Sequence, residues 1–346
     1  MSVPLIHPEE IHNILCIKPR GIGDIVLSTI VLENLAAHFP DASIDYLTED
    51  FAKPAVESHP LVRRVHTMRK TEFVGAVAWR LRREKYDLVV DLWTNPRSAQ
   101  ITLLSGARYR VGYAYRGRKY AYNLLATKER GEVHSAEHNL ELLRPIGVPI
   151  VSKKIQFVVR PEDEEGAKRF WVRQKNHSNP IAAIVPGGGW ASKRCDPTKW
   201  IEIALALHKN FEVQLLILWG PGDEVDAEAI QKGLGEAALL APKTTVGEMA
   251  GFMKMCALVL ANDSGPMHIS AAMGIPTIGI FGPTDPAKHG PYSTTSAFVH
   301  KADLHCIVCN HLECPYDHEC MKDLSVRSVL EKVRAVAGGV LKPRLN

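Results

Sequence analysis

Short apolar runs alternate along this chain with longer stretches whose apolar residues recur three and four apart. In the first half, Asn13 to Lys18 reads as a strand, Ile25 to His38 as a helix, Ser43 to Leu47 as a strand and Tyr86 to Leu92 as a buried strand. Such a rhythm predicts a parallel sheet with helices on both faces. Gly147-Val148-Pro149 then precedes a charged stretch, Arg160 to Lys175, that reads as an exposed helix and marks the domain join. The rhythm restarts beyond it. Ile181 to Val185 is a strand, Pro197 to His208 a helix, Val213 to Trp219 a strand and Val225 to Leu234 a helix, with further strands at Ala257 to Leu260 and Thr277 to Phe281. Val326 to Val336 has the spacing of an amphipathic helix. The expected domains are residues 1–155 and 156–325, with a closing helical segment at 326–346. Two doubly wound domains facing across a cleft would bind ligands beyond the carboxyl ends of their strands.

Length and composition suit this picture. At 346 residues the chain exceeds one ordinary domain, and each half is long enough to bury a core. No apolar run reaches the roughly 18 residues of a spanning helix, and Met1 to Glu10 lacks the apolar centre of a signal peptide. A cytoplasmic location is therefore expected. The seven cysteines, an odd count with three scattered singly, argue against a secreted disulfide framework.

Three loops carry candidate chemistry, each at the end of a predicted strand. Asn262-Asp263-Ser264-Gly265-Pro266-Met267-His268 follows an apolar run and opens a helical pattern. Unpaired amides and the positive end of a helix dipole make such a turn a phosphate site. Pro19-Arg20-Gly21-Ile22-Gly23-Asp24 follows the first strand, but Val26 stands where a dinucleotide fingerprint needs its third glycine. Asp24 reads either as a helix N-cap or as a general base at the mouth of the cleft. Pro186-Gly187-Gly188-Gly189-Trp190-Ala191-Ser192-Lys193-Arg194 lets the backbone approach a ligand and sets a cation just beyond the turn. It reads as a second phosphate contact or as a solvated glycine-rich loop.

Taken together, Lys18-Pro-Arg-Gly-Ile-Gly-Asp24, Pro186-Gly-Gly-Gly with Lys193-Arg194 and Trp200, Asn262 to His268, and Phe281-Gly-Pro-Thr-Asp-Pro286 resemble glycosyltransferase family 9, the ADP-heptose:lipopolysaccharide heptosyltransferases. The resemblance runs from Ile14 to about Val333. It implies an α/β chain of the GT-B class, two Rossmann-like domains, the first binding the acceptor and the second the nucleotide-sugar donor. The 326–346 helix would pack back on the first domain. The resemblance implies inverting transfer with Asp24 and Lys193 catalytic. Gly188, Gly189, Lys193, Asp223, Glu224, Thr244, Thr245, Asp263, Ser264, Gly265 and His268 would meet the donor, and Gly23 and Arg97 the acceptor. Gly188 and Gly189 stand where some relatives have hydroxyl residues, which leaves backbone contacts to the donor. No cofactor and no catalytic metal is implied, because Lys193 and the turn amides take over charge stabilisation from a divalent ion. The implied partners are a nucleotide-sugar, ADP-heptose in this family, and an anionic lipid-linked saccharide, with peripheral contact at the inner face of the cytoplasmic membrane.

Arg97, Arg108, Arg110, Arg116, Arg118, Lys119 and Lys128 interleave with Tyr109, Tyr113, Tyr115, Tyr120 and Tyr122, with no acid between Leu92 and Lys128. This is a solvated basic face or the surface that meets the acceptor; no nucleic-acid module accompanies it. Cys306-x2-Cys309-x4-Cys314-x5-Cys320 reads as a structural zinc set, reduced thiols or a labile disulfide. Cys16, Cys195 and Cys256 read as small core or surface residues. Trp79, Trp93 and Trp171 read as packing groups, and Trp190 stands apart because it lies in the glycine loop. An epimerase of the same architecture, a non-catalytic nucleotide-sugar binder and a transferase using another donor are the competing readings.

Overall fold

The computed structural model describes residues 6–127, 133–174 and 179–341; Lys128 of the basic segment and Lys175 of the charged helix lie outside the described residues. Two compact units divide between Val158 and Val159. Each contains a six-stranded sheet.

In the first unit β1 (Asn13–Ile17) leads through α1 (Ile22–Ser28) and α2 (Leu32–His38) to β2 (Ser43–Glu49) and β3 (Val62–Met68). The chain continues as α3 (Val74–Arg82), β4 (Leu88–Asp91), α4 (Pro96–Leu104), β5 (Tyr109–Tyr113), β6 (Leu124–Ala126) and α5 (Ser135–Leu140). The strands pair in parallel in the order β3-β2-β1-β4-β5-β6. The chain winds outward from β1 in one direction and then the other, so its topological switch lies between β1 and β4. Ile14, Leu15, Cys16 and Ile17 are all buried, as a central parallel strand covered on both faces requires.

The helix expected as one piece from Ile25 to His38 is broken by a 3₁₀ turn at Thr29–Val31. Ser28 Oγ and Thr29 Oγ1 donate back to the carbonyls of Ile25 and Val26, both at 2.7 Å, and draw on the preceding turn where α1 ends. Asn34 then ties the end of the unit in place. Its Oδ1 accepts from the amides of Val151 (2.7 Å) and Ser152 (2.9 Å), and its Nδ2 donates to Ser152 O at 2.8 Å.

The second unit runs α6 (Pro161–Val172), β7 (Ile181–Val185), α7 (Pro197–Phe211), β8 (Gln214–Ile217), α8 (Glu224–Leu234), β9 (Ala238–Leu240) and α9 (Val246–Lys254). It closes with β10 (Leu258–Asn262), α10 (Gly265–Ala272), β11 (Thr277–Phe281), α11 (Pro286–His289), β12 (Ser296–His300), α12 (Glu319–Lys322) and α13 (Val326–Ala337). Its parallel order, β12-β11-β10-β7-β8-β9, repeats the winding of the first sheet and puts the switch between β7 and β10. The architecture read from the sequence is therefore present twice. The expected exposed helix is α6, yet Asp163, Ala167 and Trp171 form a buried stripe along it.

One expectation is corrected. Helix α13 was to return to the first domain, but Val329, Val333, Ala337 and Leu341 are buried in one core with Trp200, Leu207 and Phe211 of the second unit. Residues four apart form a single stripe, and that stripe is spent on α7, β11 and β12. No helix among the described residues is long and apolar enough to cross a membrane.

Beneath the first sheet Asp45 of β2 is fully buried. Arg63 of β3 grips it with two hydrogen bonds, 2.9 and 2.7 Å, and Tyr86 donates to it at 2.7 Å. Burial alone would push the Asp45 carboxyl up, but hydrogen bonds from His66, Arg63 and Tyr86, with the Arg63 charge, hold it well below the usual carboxylate range. Asp45→Ala strips one partner from this network and is expected to cost about 3–5 kcal/mol in urea denaturation. A carboxyl held low in the fold contributes fully above its unfolded value near pH 4 and loses that contribution as pH falls. The wild-type urea midpoint should therefore drop more steeply than that of the variant between about pH 5 and about pH 2.

Candidate functional site

Each sheet presents its switch-point loops at the carboxyl ends of its central strands; Gly23, Asp24, Gly188, Gly189, Lys193, Asp263, Ser264 and Gly265 lie on or directly after these loops, whereas Asp223 and Glu224 follow β8, Thr244 and Thr245 follow β9, and Arg97 and His268 lie within α4 and α10. In the first unit Gly21 caps α1 with φ +81, a left-handed backbone that favours glycine. A Cβ there would stand 2.3 Å from Asp24 Oδ2, so the carboxylate folds back over the bare glycine. Asp24 is the third residue of α1, and no side chain caps the helix. The N-cap role is thus not the one Asp24 plays. Its half-buried carboxylate accepts no hydrogen bond among the described residues and lies in the first turn, where the helix dipole favours an anion. Gly23 beside it is buried.

Lys18, which sequence reasoning quoted only as part of a motif, is 7% exposed at the end of β1. Its ammonium donates to Leu92 O at 2.9 Å and Asn139 Oδ1 at 3.4 Å and lies 5.1 Å from the Trp93 ring centre. It spans the first switch point. At the end of β4, Asp91 accepts from the amides of Trp93 (3.1 Å) and Thr94 (2.8 Å) and from Tyr122 OH (2.7 Å). Burial pushes its carboxyl above the usual range against those bonds.

The second switch point brings together the loops that follow β7 and β10. Lys193 Nζ stands 2.6 Å from Asp263 Oδ2, with the two side chains only 15% and 6% exposed. The ammonium also lies 4.3 Å from the Trp190 ring centre, and Thr284 Oγ1 donates to the same Asp263 oxygen at 2.5 Å. Asn262 staples the loops, its Nδ2 donating to Pro186 O at 2.6 Å. Ser264 stands at the N-cap of α10 but donates to Asn262 O at 3.0 Å instead of capping. The first turn of α10 is thereby left without a side-chain cap, and first-turn amides have no partner inside the helix. A half-buried cation, a helix end without a side-chain cap and a glycine loop lie together here, the features that suit an anion.

The remaining donor-side residues divide. Arg194 Nε donates to Gly188 O at 2.9 Å, and its guanidinium pairs with Asp223 at 2.9 Å. Burial raises the Asp223 carboxyl and the Arg194 charge opposes the rise. Gly187 is demanded by this pair, since a Cβ would meet Asp223 Oδ2 at 2.2 Å; at Gly189 a Cβ would meet nothing. Glu224 is exposed in the first turn of α8, and His268 is buried in α10. Thr245 is spent locally: it caps α9, accepting from Glu248 N at 3.2 Å, while its own amide donates to Glu248 Oε2 at 2.8 Å. Thr244 beside it is half-buried.

Arg97 is the clearest surprise. Its terminal nitrogens donate to the carbonyls of Lys70 (2.9 Å), Arg69 (2.7 Å) and Glu72 (2.7 Å), so it shapes the β3–α3 loop. Of the interleaved tyrosines, Tyr109, Tyr113 and Tyr122 are buried, while Tyr120 is exposed. Trp171 packs inside as expected, but Trp79 is 61% exposed with Arg83 over its ring. Cys16, Cys195 and Cys256 are buried, and burial pushes the first two thiols up to about 12. Cys320 feels the charges of Cys314, Cys306 and Cys309, yet no group of three His, Cys, Asp or Glu among the described residues is arranged to hold a metal ion.

The family model described as glycosyltransferase family 9 (heptosyltransferase) matches residues 74–319. The chain is 25% identical over 342 residues to lipooligosaccharide heptosyltransferase 2 of Haemophilus influenzae, a match covering 93% of this chain and 98% of that protein. Among solved structures, ADP-heptose lipopolysaccharide heptosyltransferase II of Escherichia coli superposes with a TM-score of 0.77 at 21% identity, over 94% of this chain and 99% of the other. A second Escherichia coli heptosyltransferase, solved with ADP, gives 0.72 at 19% identity over 94% and 100%. The fold is that of the GT-B class, with a Rossmann-like sheet in each domain.

Gly187→Ala forces a methyl group into the Asp223 carboxylate and is expected to cost about 1–3 kcal/mol by denaturant titration, in the range of other overpacked sites. Gly189→Ala, where space is open, should leave the midpoint unchanged.

Proposed function

The chain belongs to glycosyltransferase family 9 and is a glycosyltransferase, and on that footing we propose that it moves heptose from ADP-heptose onto an anionic, lipid-linked lipopolysaccharide core saccharide by inverting, metal-independent transfer. The observation that carries this reading is the Lys193–Asp263 pair beside the uncapped end of α10. In the reaction an acceptor hydroxyl oxygen bonds to the anomeric carbon as the bond from that carbon to the diphosphate breaks. The hydroxyl proton passes to Asp24, whose carboxylate accepts no hydrogen bond among the described residues. The negative charge that grows on the diphosphate is met by Lys193 and by the first-turn amides of Ser264 and Gly265, a role a divalent ion fills elsewhere. An ammonium has three donors; Asp263 takes one.

On the donor side, Asp223 or Glu224 and Thr244 or Thr245 would meet the nucleoside, with backbone groups of Gly188 and Gly189 near the sugar phosphate and His268 completing the turn. The solved relative containing ADP supports an adenine nucleotide. On the acceptor side, Gly23 would border the attacking hydroxyl. Arg97 would act through the loop whose carbonyls it holds, because that loop carries the exposed Arg69 and Lys70.

We place the reaction in the cytoplasm at the inner face of the cytoplasmic membrane, with peripheral contact. Residues 69–85 contain six basic and two acidic side chains, a net +4 that equals the formal charge of the whole chain. Phe73 (78%) and Trp79 (61%) are exposed among them, the mixture of aromatic and basic groups that suits an anionic bilayer surface.

Asp24→Ala is expected to lower kcat by about 10² to 10⁴-fold, and Lys193→Ala by about 10² to 10³-fold, in heptose-transfer assays that chelator leaves unchanged. Conversion of the donor with no acceptor present would overturn transfer in favour of epimerisation. For the membrane contact, sedimentation with phosphatidylglycerol vesicles should be strong at low salt and lost at high salt, since surface charges are screened beyond about 10 Å at 0.1 M. Equal binding to neutral phosphatidylcholine vesicles would speak against it.

A further inference from the structure

We infer that the irregular segment 301–318 is a clasp that positions Lys193, with Ser192 as its anchor and His318 as its closing contact. The inference rests on the donor-site reading above for its effect on turnover, but its geometry stands by itself. Ser192 immediately precedes Lys193 and is only 3% exposed. All of its polar groups are engaged by this one segment. Its amide donates to Leu312 O at 3.2 Å, its Oγ donates to His311 O at 2.6 Å, and its carbonyl accepts from His318 Nε2 at 2.8 Å.

The other side of the segment is fastened to the turn after β11. Asn310 N donates to Pro283 O at 2.7 Å and Val308 N to Gly282 O at 3.4 Å. Thr284, the next residue of that turn, donates to the Asp263 oxygen that pairs with Lys193. A closed circuit results: from Lys193 to Asp263, to Thr284, through Pro283 and Gly282 into the segment, and back through Leu312, His311 and His318 to Ser192. Cutting the circuit at Ser192 frees one end of the loop that holds the ammonium.

The segment has the features of an element shaped for its contacts. It contains no helix or strand between β12 and α12, and Val308 (φ +61), Asn310 (φ +57) and His318 (φ +60) all adopt left-handed backbone. Such conformations persist where surrounding contacts over-determine them. Three of the four clustered cysteines lie within it. The fourth, Cys320, follows it in α12 against Gly282, where a Cβ would come within 2.7 Å of its sulfur. The cysteine-rich stretch singled out in the sequence is thereby given a place beside the donor loop. Ser192 and His318 are positioning residues, since neither is offered as touching the substrate.

The test compares Ser192→Ala, His318→Ala and His318→Gln with the full-length wild type. Exposure of the Lys193 amine is read by labelling with a succinimidyl ester and peptide mass spectrometry, a measurement that needs neither ligand nor turnover. Labelling should rise in Ser192→Ala and His318→Ala and return to the wild-type level in His318→Gln, whose amide can still donate to the Ser192 carbonyl. In transfer assays kcat should fall by about 10 to 10²-fold with donor KM little changed, the cost of a small misplacement of a catalytic group. In a Lys193→Ala background Ser192→Ala should cost nothing further. Unchanged Lys193 labelling in both alanine variants overturns the clasp whatever the activity. Raised labelling in a protein that transfers no heptose upholds the clasp and removes the reaction assigned to the site.

Discussion

The second domain depends on the ion pair between Lys193 and Asp263. The two residues are 70 positions apart in sequence and come from the loops after β7 and β10, the two strands that flank the switch point. Two charges this far out of water are tolerated only when each satisfies the other, and losing either partner leaves an uncompensated buried charge. The surroundings are arranged accordingly: Thr284 supplies a second donor to the aspartate, and the Trp190 ring lies beside the ammonium. Under the proposed function a cation fixed in this way would need no reorganisation when an anion arrives, which is the physical content of preorganisation.

The first domain repeats the winding but reverses the chemistry. At its switch point Lys18 is buried, its ammonium donating to the Leu92 carbonyl and the Asn139 amide oxygen beside the Trp93 ring, while the carboxylate of Asp24 accepts no hydrogen bond among the described residues. Through the Leu92 carbonyl the ammonium braces the ends of β1 and β4. On the proposed reading one sheet would offer a proton acceptor and the other a cationic seat. The same strand order serves two roles because the role resides in the loops, and the parallel strands below them have no freedom to vary.

How far the sequence could be read follows from where the physics was local. Strands buried on both faces, such as Ile14 to Ile17 and Thr277 to Phe281, are continuous apolar runs and were legible. Edge strand β3 was not, because Val62–Met68 contains Arg63, Arg64 and His66, two of which serve the buried Asp45 of the neighbouring strand. The glycine loops and Asp24 could be found from type and spacing. Their partners could not: Thr284 and Asn262 matter through contacts made across the sheet, and the only trace Thr284 leaves is its place in the Phe281-to-Pro286 motif. Arg97 shows the opposite failure, since a basic residue in a basic stretch gave no sign that its guanidinium is occupied by three backbone carbonyls. The amphipathic spacing of α13 was equally plain, but periodicity says that a helix has a buried face and not which core receives it.

The glycine loop after β7 is held by contacts of its own. Arg194 bridges the Gly188 carbonyl and the Asp223 carboxylate, and Gly187 lacks the Cβ that would push Asp223 away. The loop is therefore held by an ion pair. Under the proposed function a backbone so fixed by Arg194 would offer a donor N–H groups whose direction is set before binding. The cost would be tolerance, because a site built from main-chain donors reads the charge and shape of a diphosphate more strongly than the identity of the sugar beyond it. Discrimination among sugars would then fall to whatever side chains approach the open space beside Gly189.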